Sequence, residues 1–111
     1  METLNEYRRI IRDLIREYAQ YQPSVGDVRV ESVCDEQAGH YAVVHSGWVG
    51  PQHIDGMILH IDIRDGKVGI EHNGTEGPIG SMLVEAGIPR DKIVLGFKPP
   101  DIRPHTGFAP G

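Results

Sequence analysis

The side chains of this 111-residue chain that could bind a metal or act in acid–base catalysis are six histidines and sixteen carboxylates. His60 and Asp62 alternate along one predicted strand and therefore share a face of it, and His45 points to that face from the neighbouring predicted strand. Imidazole and carboxylate groups are ordinary zinc ligands. However, the expected strand partner of His45 is Gly56, not His60, which leaves the rings too far apart to share an ion. No metal site is predicted.

The glycines after the fourth predicted strand are candidates for a phosphate cradle, because they precede a predicted helix. Gly74, Gly77 and Gly80 match neither G-x-G-x-x-G nor a P-loop, no lysine accompanies them, and Glu76 would repel an anion. They are interpreted as turn and cap glycines, and no cofactor is predicted.

The sequence evidence for a catalytic nucleophile is equally weak. Cys34 is predicted to face the core, where thiols are usually inert. None of the serines lies in a G-x-S-x-G context. The sequence therefore predicts no catalytic residue and a protein that is not an enzyme. The remaining enzymatic alternative is an unrecognised site at His45, His60 and Asp62.

Composition and charge restrict the class of protein further. The length is typical of one domain, 1–111. Eleven basic and sixteen acidic residues give a net charge of −5, which makes direct nucleic-acid binding unlikely, since such binding needs phosphate neutralisation. The apolar runs are too short to cross a membrane, and the first residues do not resemble a signal peptide. A single cysteine fits a reducing compartment, so a cytoplasmic location is expected.

The elements that must position these residues begin with a helix. Apolar residues recur at helical spacing over 3–21, within an N-terminal segment 1–22. Its polar face carries Arg8, Arg9, Arg12 and Arg16 between acidic residues. This face is either solvated, with pairs such as Arg9–Asp13, or a docking face for a protein or a phosphate backbone.

Four strands are predicted over 28–74, joined by turns at 36–39, 50–51 and 65–66. Asp65-Gly66 is a strong two-residue hairpin signal, because both positions favour positive φ. Short connections in succession predict an antiparallel meander.

Counting outward from the turns predicts which side chains share a face of the sheet. Pairing of Arg64 with Lys67 and of Val49 with Gln52 places one apolar set in the core: Val28, Val30, Ala42, Val44, Trp48, Met57, Leu59, Ile61, Ile63, Val68 and Ile70. The opposite face would hold Asp62 and a predicted partner interface of Tyr41, Val43, His45, Ile58, His60 and Glu71. Its apolar members favour self-association.

Residues 75–97 predict a short helix capped by Thr75, stopped at Gly87 and followed by a short extended segment. Residues 98–111 carry four of the eight prolines and predict an extended, open tail. The tail is expected to be ordered only if it docks, either on its own chain or on a partner. The fold class is thus α+β: a long N-terminal helix, a four-stranded antiparallel meander, a short second helix and an extended Pro-rich tail.

Several strings of the chain resemble the XisI family, the fdxN-element excision controlling factors best known in cyanobacteria. They are YAVVHSGW (41–48), GMILHIDIRDGKVGI (56–70), TEGPIGSMLVEAGIPRDKIVLGFKPP (75–100) and DIRPHTGFAPG (101–111), with EYRRIIRDLIREYAQY at the start of the chain. Gly69 departs from the pattern, since a large aromatic residue is expected there.

The resemblance implies a small accessory protein without established catalytic residues. It implies action with XisH, a partner resembling restriction endonucleases, in excision of a DNA element by a site-specific recombinase. We therefore expect a regulatory protein that works through contacts with a XisH-like protein, with a site-specific recombinase complex as a further candidate partner. We also expect it to form a homo-oligomer, most simply a dimer. The alternative is a weak DNA-binding accessory that uses Arg8, Arg9, Arg12 and Arg16.

Overall fold

The computed structural model describes residues 2–23 and 26–111. Met1, which the predicted segment 1–22 includes, and Ser24 and Val25 lie outside them. Two helices and five strands follow one another along the chain: α1 (Glu2–Ala19), β1 (Asp27–Asp35), β2 (His40–Val49), β3 (Gln52–Arg64), β4 (Lys67–Asn73), α2 (Ile79–Ala86) and β5 (Ile93–Leu95). The architecture is α+β, as predicted.

The strands form one sheet in the order β1-β2-β3-β4-β5. The first four strands are antiparallel neighbours, whereas β5 pairs in parallel with β4. The sheet is therefore mixed and five-stranded, and the prediction of four antiparallel strands is wrong in this respect. The predicted extended segment near Ile93 does exist, and α2 forms the crossover that a parallel pair requires.

Both helices pack on the same face of the sheet, which we call the inner face. The buried apolar residues of α1, the sheet and α2 form one cluster: Tyr7, Ile10, Ile11, Leu14, Ile15, Val30, Tyr41, Val43, Leu59, Ile61, Val68, Ile70, Ile79, Leu83, Ile88 and Ile93. The other side of the sheet is the outer face.

A β-bulge decides which residues of β2 reach the inner face. The predicted pairs Val49–Gln52 and Val44–Met57 are confirmed, but Val43 pairs with Leu59, so Ile58 is an extra residue on β3. Because a one-residue slip exchanges the two faces of a strand, the sides predicted for β2 are wrong.

The consequences of the bulge are large for the predicted interface. Tyr41 and Val43 are fully buried on the inner face. A partner-interface role needs accessible side chains, which this fold does not give them. Trp48 and Met57, predicted as core residues, are instead exposed.

The local turn predictions are largely confirmed. Asp65 and Gly66 both have positive φ, of 54° and 76°, in the β3–β4 hairpin. Gly87 ends α2 with a φ of 122°, and the Ile88 amide donates to the Leu83 carbonyl. The predicted cap is wrong: Thr75 hydrogen-bonds to the Asn73 side chain in a turn, and Pro78 immediately precedes the helix.

The C-terminal tail is not open, because it docks on its own sheet, which is one of the two docking alternatives that the sequence left undecided. The Ala109 amide donates to the Ile93 carbonyl, and Ala109 forms a parallel bridge with Val94. The Arg103 guanidinium donates to the backbone carbonyls of Lys98 and Gly96. These contacts supply the partners that an open proline-rich segment would leave to water.

The free edge of β1 is covered in part by the segment after α1. The Gln22 amide donates to the Val30 carbonyl at 3.2 Å. Such a contact occupies an edge acceptor that could otherwise pair with another strand. No helix in the described part of the chain is long and apolar enough to cross a bilayer.

Candidate functional site

The outer face of the sheet carries an apolar stripe across three strands. We define the stripe as Val33 on β1, Val44 and Trp48 on β2, and Met57 on β3; strand pairing places Val33 beside Ala42 and Val44 beside Met57. The exposed fractions of Val33, Trp48 and Met57 are 51%, 53% and 50%. Val44 and Met57 are direct neighbours, and one polar row, Arg29–Ser46–Asp55, separates them from Trp48. Several exposed apolar groups on one face of a sheet are typical of contact surfaces.

The Trp48 end of the stripe has an ordered aromatic contact. Trp48 lies opposite His53 in the β2–β3 hairpin, and their ring centroids are 4.6 Å apart. This contact holds the indole against the sheet while leaving half of it accessible. A rigid, half-exposed tryptophan is the kind of side chain that dominates binding energy at protein interfaces.

A carboxylate pair lies further along the outer face, with Asp62 buried on β3 and Glu71 half-buried on β4. Asp62 is only 3% exposed, and the Arg64 guanidinium lies 3.4 Å from its carboxylate. Glu71 is the extra residue of a second bulge, since His72 pairs with His60 but Ile70 pairs with Ile61. The bulge places the Glu71 carboxylate beside that of Asp62.

Gly69 is required by this pair. A Cβ atom at position 69 would lie 2.5 Å from Asp62 Oδ1 and 2.7 Å from Glu71 Oε2. Any side chain there would displace both carboxylates. Gly69 therefore leaves room for both carboxylates on the outer face.

Burial raises the pKa of Glu71 above its ordinary value, and the negative charge of Asp62 and the hydrogen bond with it act in the same direction. The folded state thus binds the Glu71 proton more tightly than the unfolded state. The contribution of Glu71 to the free energy of unfolding therefore falls as the pH rises from 4.5, the ordinary pKa of this group, to its raised pKa in the folded state. At higher pH the contribution is constant.

We expect Glu71→Gln to flatten the decline in stability with rising pH, because glutamine has no proton to lose. Urea unfolding between pH 4.5 and 7.5 gives the free energy of unfolding of both proteins. We expect the value for the variant, relative to that for the wild type, to increase with pH. Glu85→Gln, at an exposed position of α2, is the control. Parallel pH profiles for wild type and Glu71→Gln would contradict the assignment.

Two histidines complete this side of the sheet. His40 Nδ1 and His60 Nε2 are 3.1 Å apart, and the ring centroids are separated by 5.3 Å. His45 is not with them: it pairs with Gly56, as predicted, but lines a cavity on the inner face with Val43. The three residues of the metal hypothesis are therefore divided between two faces. The described residues contain no group of three potential ligands placed to hold a metal ion.

The arginines of α1 are largely engaged within the chain. Arg9 forms ion pairs with Glu6 and Asp13, and Arg12 donates to Glu36 at 2.8 Å in the β1–β2 turn. The predicted Arg9–Asp13 pair is thus present.

Arg8 donates a hydrogen bond to the Asn5 side chain. Among the four arginines of α1, Arg16 is the one whose side chain forms no ion pair or hydrogen bond in the described part of the chain. The hydrogen bond from Arg9 lowers the pKa of Glu6. Engaged guanidinium groups are poorly placed to neutralise a phosphate backbone.

Cys34 differs from its prediction. Its strand position faces inward, beside Tyr41, but the thiol side chain is exposed. Partial burial raises its pKa, which reduces the fraction of reactive thiolate.

The exposed stripe was missed because its residues look like core residues in the sequence. Val44, Trp48 and Met57 share a face in both accounts, so their mutual placement is correct and only the side of the sheet is wrong. Gly56, an isolated glycine inside the strand, is the local signal that could have indicated a bulge, but it does not show which residue is the extra one.

Comparison with known proteins agrees with the strings quoted above. The family model described as XisI protein matches residues 1–110. No curated protein matches the chain. Among solved structures, a XisI-like protein from Anabaena variabilis is 34% identical, with a TM-score of 0.90 over 96% of this chain and 97% of that one. The fdxN element excision controlling factor XisI from Anabaena variabilis is 33% identical, with a TM-score of 0.83 over 98% and 99%. Sequence and fold together show that this chain belongs to the XisI family.

Proposed function

We propose that this protein is a non-catalytic controlling factor that acts by binding another protein through its outer face. The exposed apolar stripe carries this proposal. Val33, Trp48 and Met57 each leave about half of their surface in water. Their burial in a complex would contribute about 25 cal/mol per Å² of apolar surface removed from water.

The charges around the stripe indicate a basic partner. Carboxylates on the outer face outnumber its permanently charged cations: Glu31, Asp35, Asp55, Asp62 and Glu71 against Arg29, Arg64 and Lys67. The whole chain has a net charge of −5. Opposite potentials accelerate association and align the partners.

The partner that fits this surface is a nuclease-fold protein of the XisH type. Such a protein needs a basic surface to hold DNA, and an acidic domain seated on it would cover that surface. Control of excision would then be control of the partner's access to DNA. This chain's own contribution is steric and electrostatic, with no bond made or broken.

We also propose that the free protein forms a dimer through the same face. A five-stranded sheet is about 24 Å wide at ~4.8 Å per strand. Because the strands have 9, 10, 13, 7 and 3 residues, the face covers roughly 670 Å² at ~3.3 Å per residue. This is close to the ~800 Å² that one partner contributes to an interface of standard size. Sedimentation at increasing concentration should show a monomer–dimer equilibrium.

Met57→Arg tests the proposal. It places a bulky cation in the centre of the stripe, and we expect the affinity for a purified XisH-like protein of the same host to fall at least about 30-fold. Calorimetry measures the binding, and unfolding curves check that the fold is retained. Tyr21→Arg is the matched control, because Tyr21 is 76% exposed beyond the end of α1 on the helical side.

Three outcomes decide the matter. Loss of binding in Met57→Arg but not in Tyr21→Arg supports the outer face. Equal binding by both variants rejects it. Binding by the wild type that leaves the partner's DNA affinity unchanged rejects the masking mechanism.

A further inference from the structure

A cavity of about 610 Å³ opens on the inner face, away from the outer face and independent of the function proposed for it. Ligand pockets in proteins have volumes of about 300–1,000 Å³ and mostly apolar walls. Apolar side chains from β1, β2, β3 and α2 line this one: Val30, Val43, Ile58 and Met82.

The cavity lies at the C-terminal end of α1. The helix ends at Ala19, and Tyr21 and Pro23, which follow it, line the cavity. Tyr18 closes one side, since its hydroxyl donates to the sulfur of Met82 and connects the two helices. The β3 bulge turns Ile58 toward this space, so one backbone irregularity both exposes the stripe and lines the cavity.

The polar lining of the cavity is acidic. Glu17 and Glu76 line it together with Thr75 and His45, and the described lining residues include no lysine or arginine. Tyr18 and Tyr21 add two aromatic rings. Carboxylates repel anions, and aromatic faces attract ammonium groups.

We propose that this cavity binds a small organic cation, an ammonium group carried on an apolar ring or chain. The apolar part rests on Ile58 and Met82, which are partly exposed, and the ammonium group meets the tyrosines and the two glutamates that line the same cavity. The site thus selects for amines over alcohols and acids of the same size.

Three probes of matched shape test the charge selectivity: 2-phenylethylamine, 2-phenylethanol and 3-phenylpropionate. Amide and methyl shifts are followed by NMR on the full chain as each probe is added. We expect saturable shifts centred on Val43, Ile58 and Met82 with the amine, binding at least tenfold weaker with the alcohol, and none with the acid.

The double variant Glu17→Gln, Glu76→Gln removes the charges at exposed positions and keeps the shape. We expect it to bind the amine at least tenfold more weakly than the wild type, whereas the Glu85→Gln control binds as the wild type does. Absence of saturable shifts with the amine would overturn the site. Equal binding of amine and alcohol, or amine binding unchanged in the double variant, would overturn the assignment to a cation.

Discussion

Val43→Asp is expected to unfold the protein, whereas Val44→Asp, one residue further on, should leave it folded. Val43 is fully buried against Leu59 on the inner face. An unpaired carboxylate there loses its hydration without gaining a partner, and we expect a loss of about 4 kcal/mol or more. That is a large part of the 5–15 kcal/mol by which a domain of this size is ordinarily stable.

Val44 is the control because it has the same side chain in the same strand but points to the outer face, beside the half-exposed Met57. We expect Val44→Asp to cost about 1 kcal/mol or less. Circular dichroism during urea unfolding measures both. If Val43→Asp does not fold, Val43→Ala and Val44→Ala give the same ranking, with about 2 kcal/mol expected at Val43. A greater loss at Val44 would show that the register lacks the bulge.

The second large effect is expected at Gly47. Gly47 lies in β2 opposite Val28 with a φ of 150°. A Cβ atom there would overlap the Asp27 carbonyl oxygen and lie 2.7 Å from the Cα atom of Val28. Since the obstructing atoms are backbone, Gly47→Ala must separate β1 from β2, and we expect it to cost about 3 kcal/mol.

Gly56→Ala provides the matched control. Gly56 lies in β3 opposite His45, and a Cβ atom there would find its nearest neighbour, His45 Nε2, at 3.9 Å. We expect a change within about 0.5 kcal/mol. Thermal unfolding of the two variants measures the difference. Equal melting temperatures for Gly47→Ala and Gly56→Ala would contradict the close approach of β1 and β2.

Sequence reasoning succeeds for features that depend on residues close together in the chain. The helical segment of α1, the Asp65-Gly66 hairpin and the stop at Gly87 are predicted correctly, because each depends on residues within a few positions of one another. The spacing of apolar residues predicts the helix, and residues that readily adopt positive φ predict the two turns. The pairs next to each turn follow by counting.

Counting fails where the backbone departs from regular alternation. Neither Ile58 nor Glu71 has a residue type that marks it as an extra residue, so the exchange of faces in β2 and the approach of Glu71 to Asp62 are invisible to pattern. A bulge exchanges the side chains that a strand turns toward the helices packed on the sheet. Here the change buries Tyr41 and Val43 under α1.

The C-terminal half shows the same division. An extended segment at Ile93 is visible in the sequence, but its parallel pairing with β4 depends on where α2 returns the chain. The tail has the composition of an open segment, yet the Ala109–Ile93 hydrogen bond and the Arg103 contacts attach it to the sheet.

The sequence by itself therefore determined the α+β class, the helices, the hairpins and a family whose members are similar over nearly the whole chain. Those properties are encoded in spacing, turn chemistry and recognisable strings. Only the tertiary structure decided which face of the sheet stays uncovered and which residues form it. That choice depends on two bulges and on the packing of α1, and packing between distant segments leaves no local trace in the sequence.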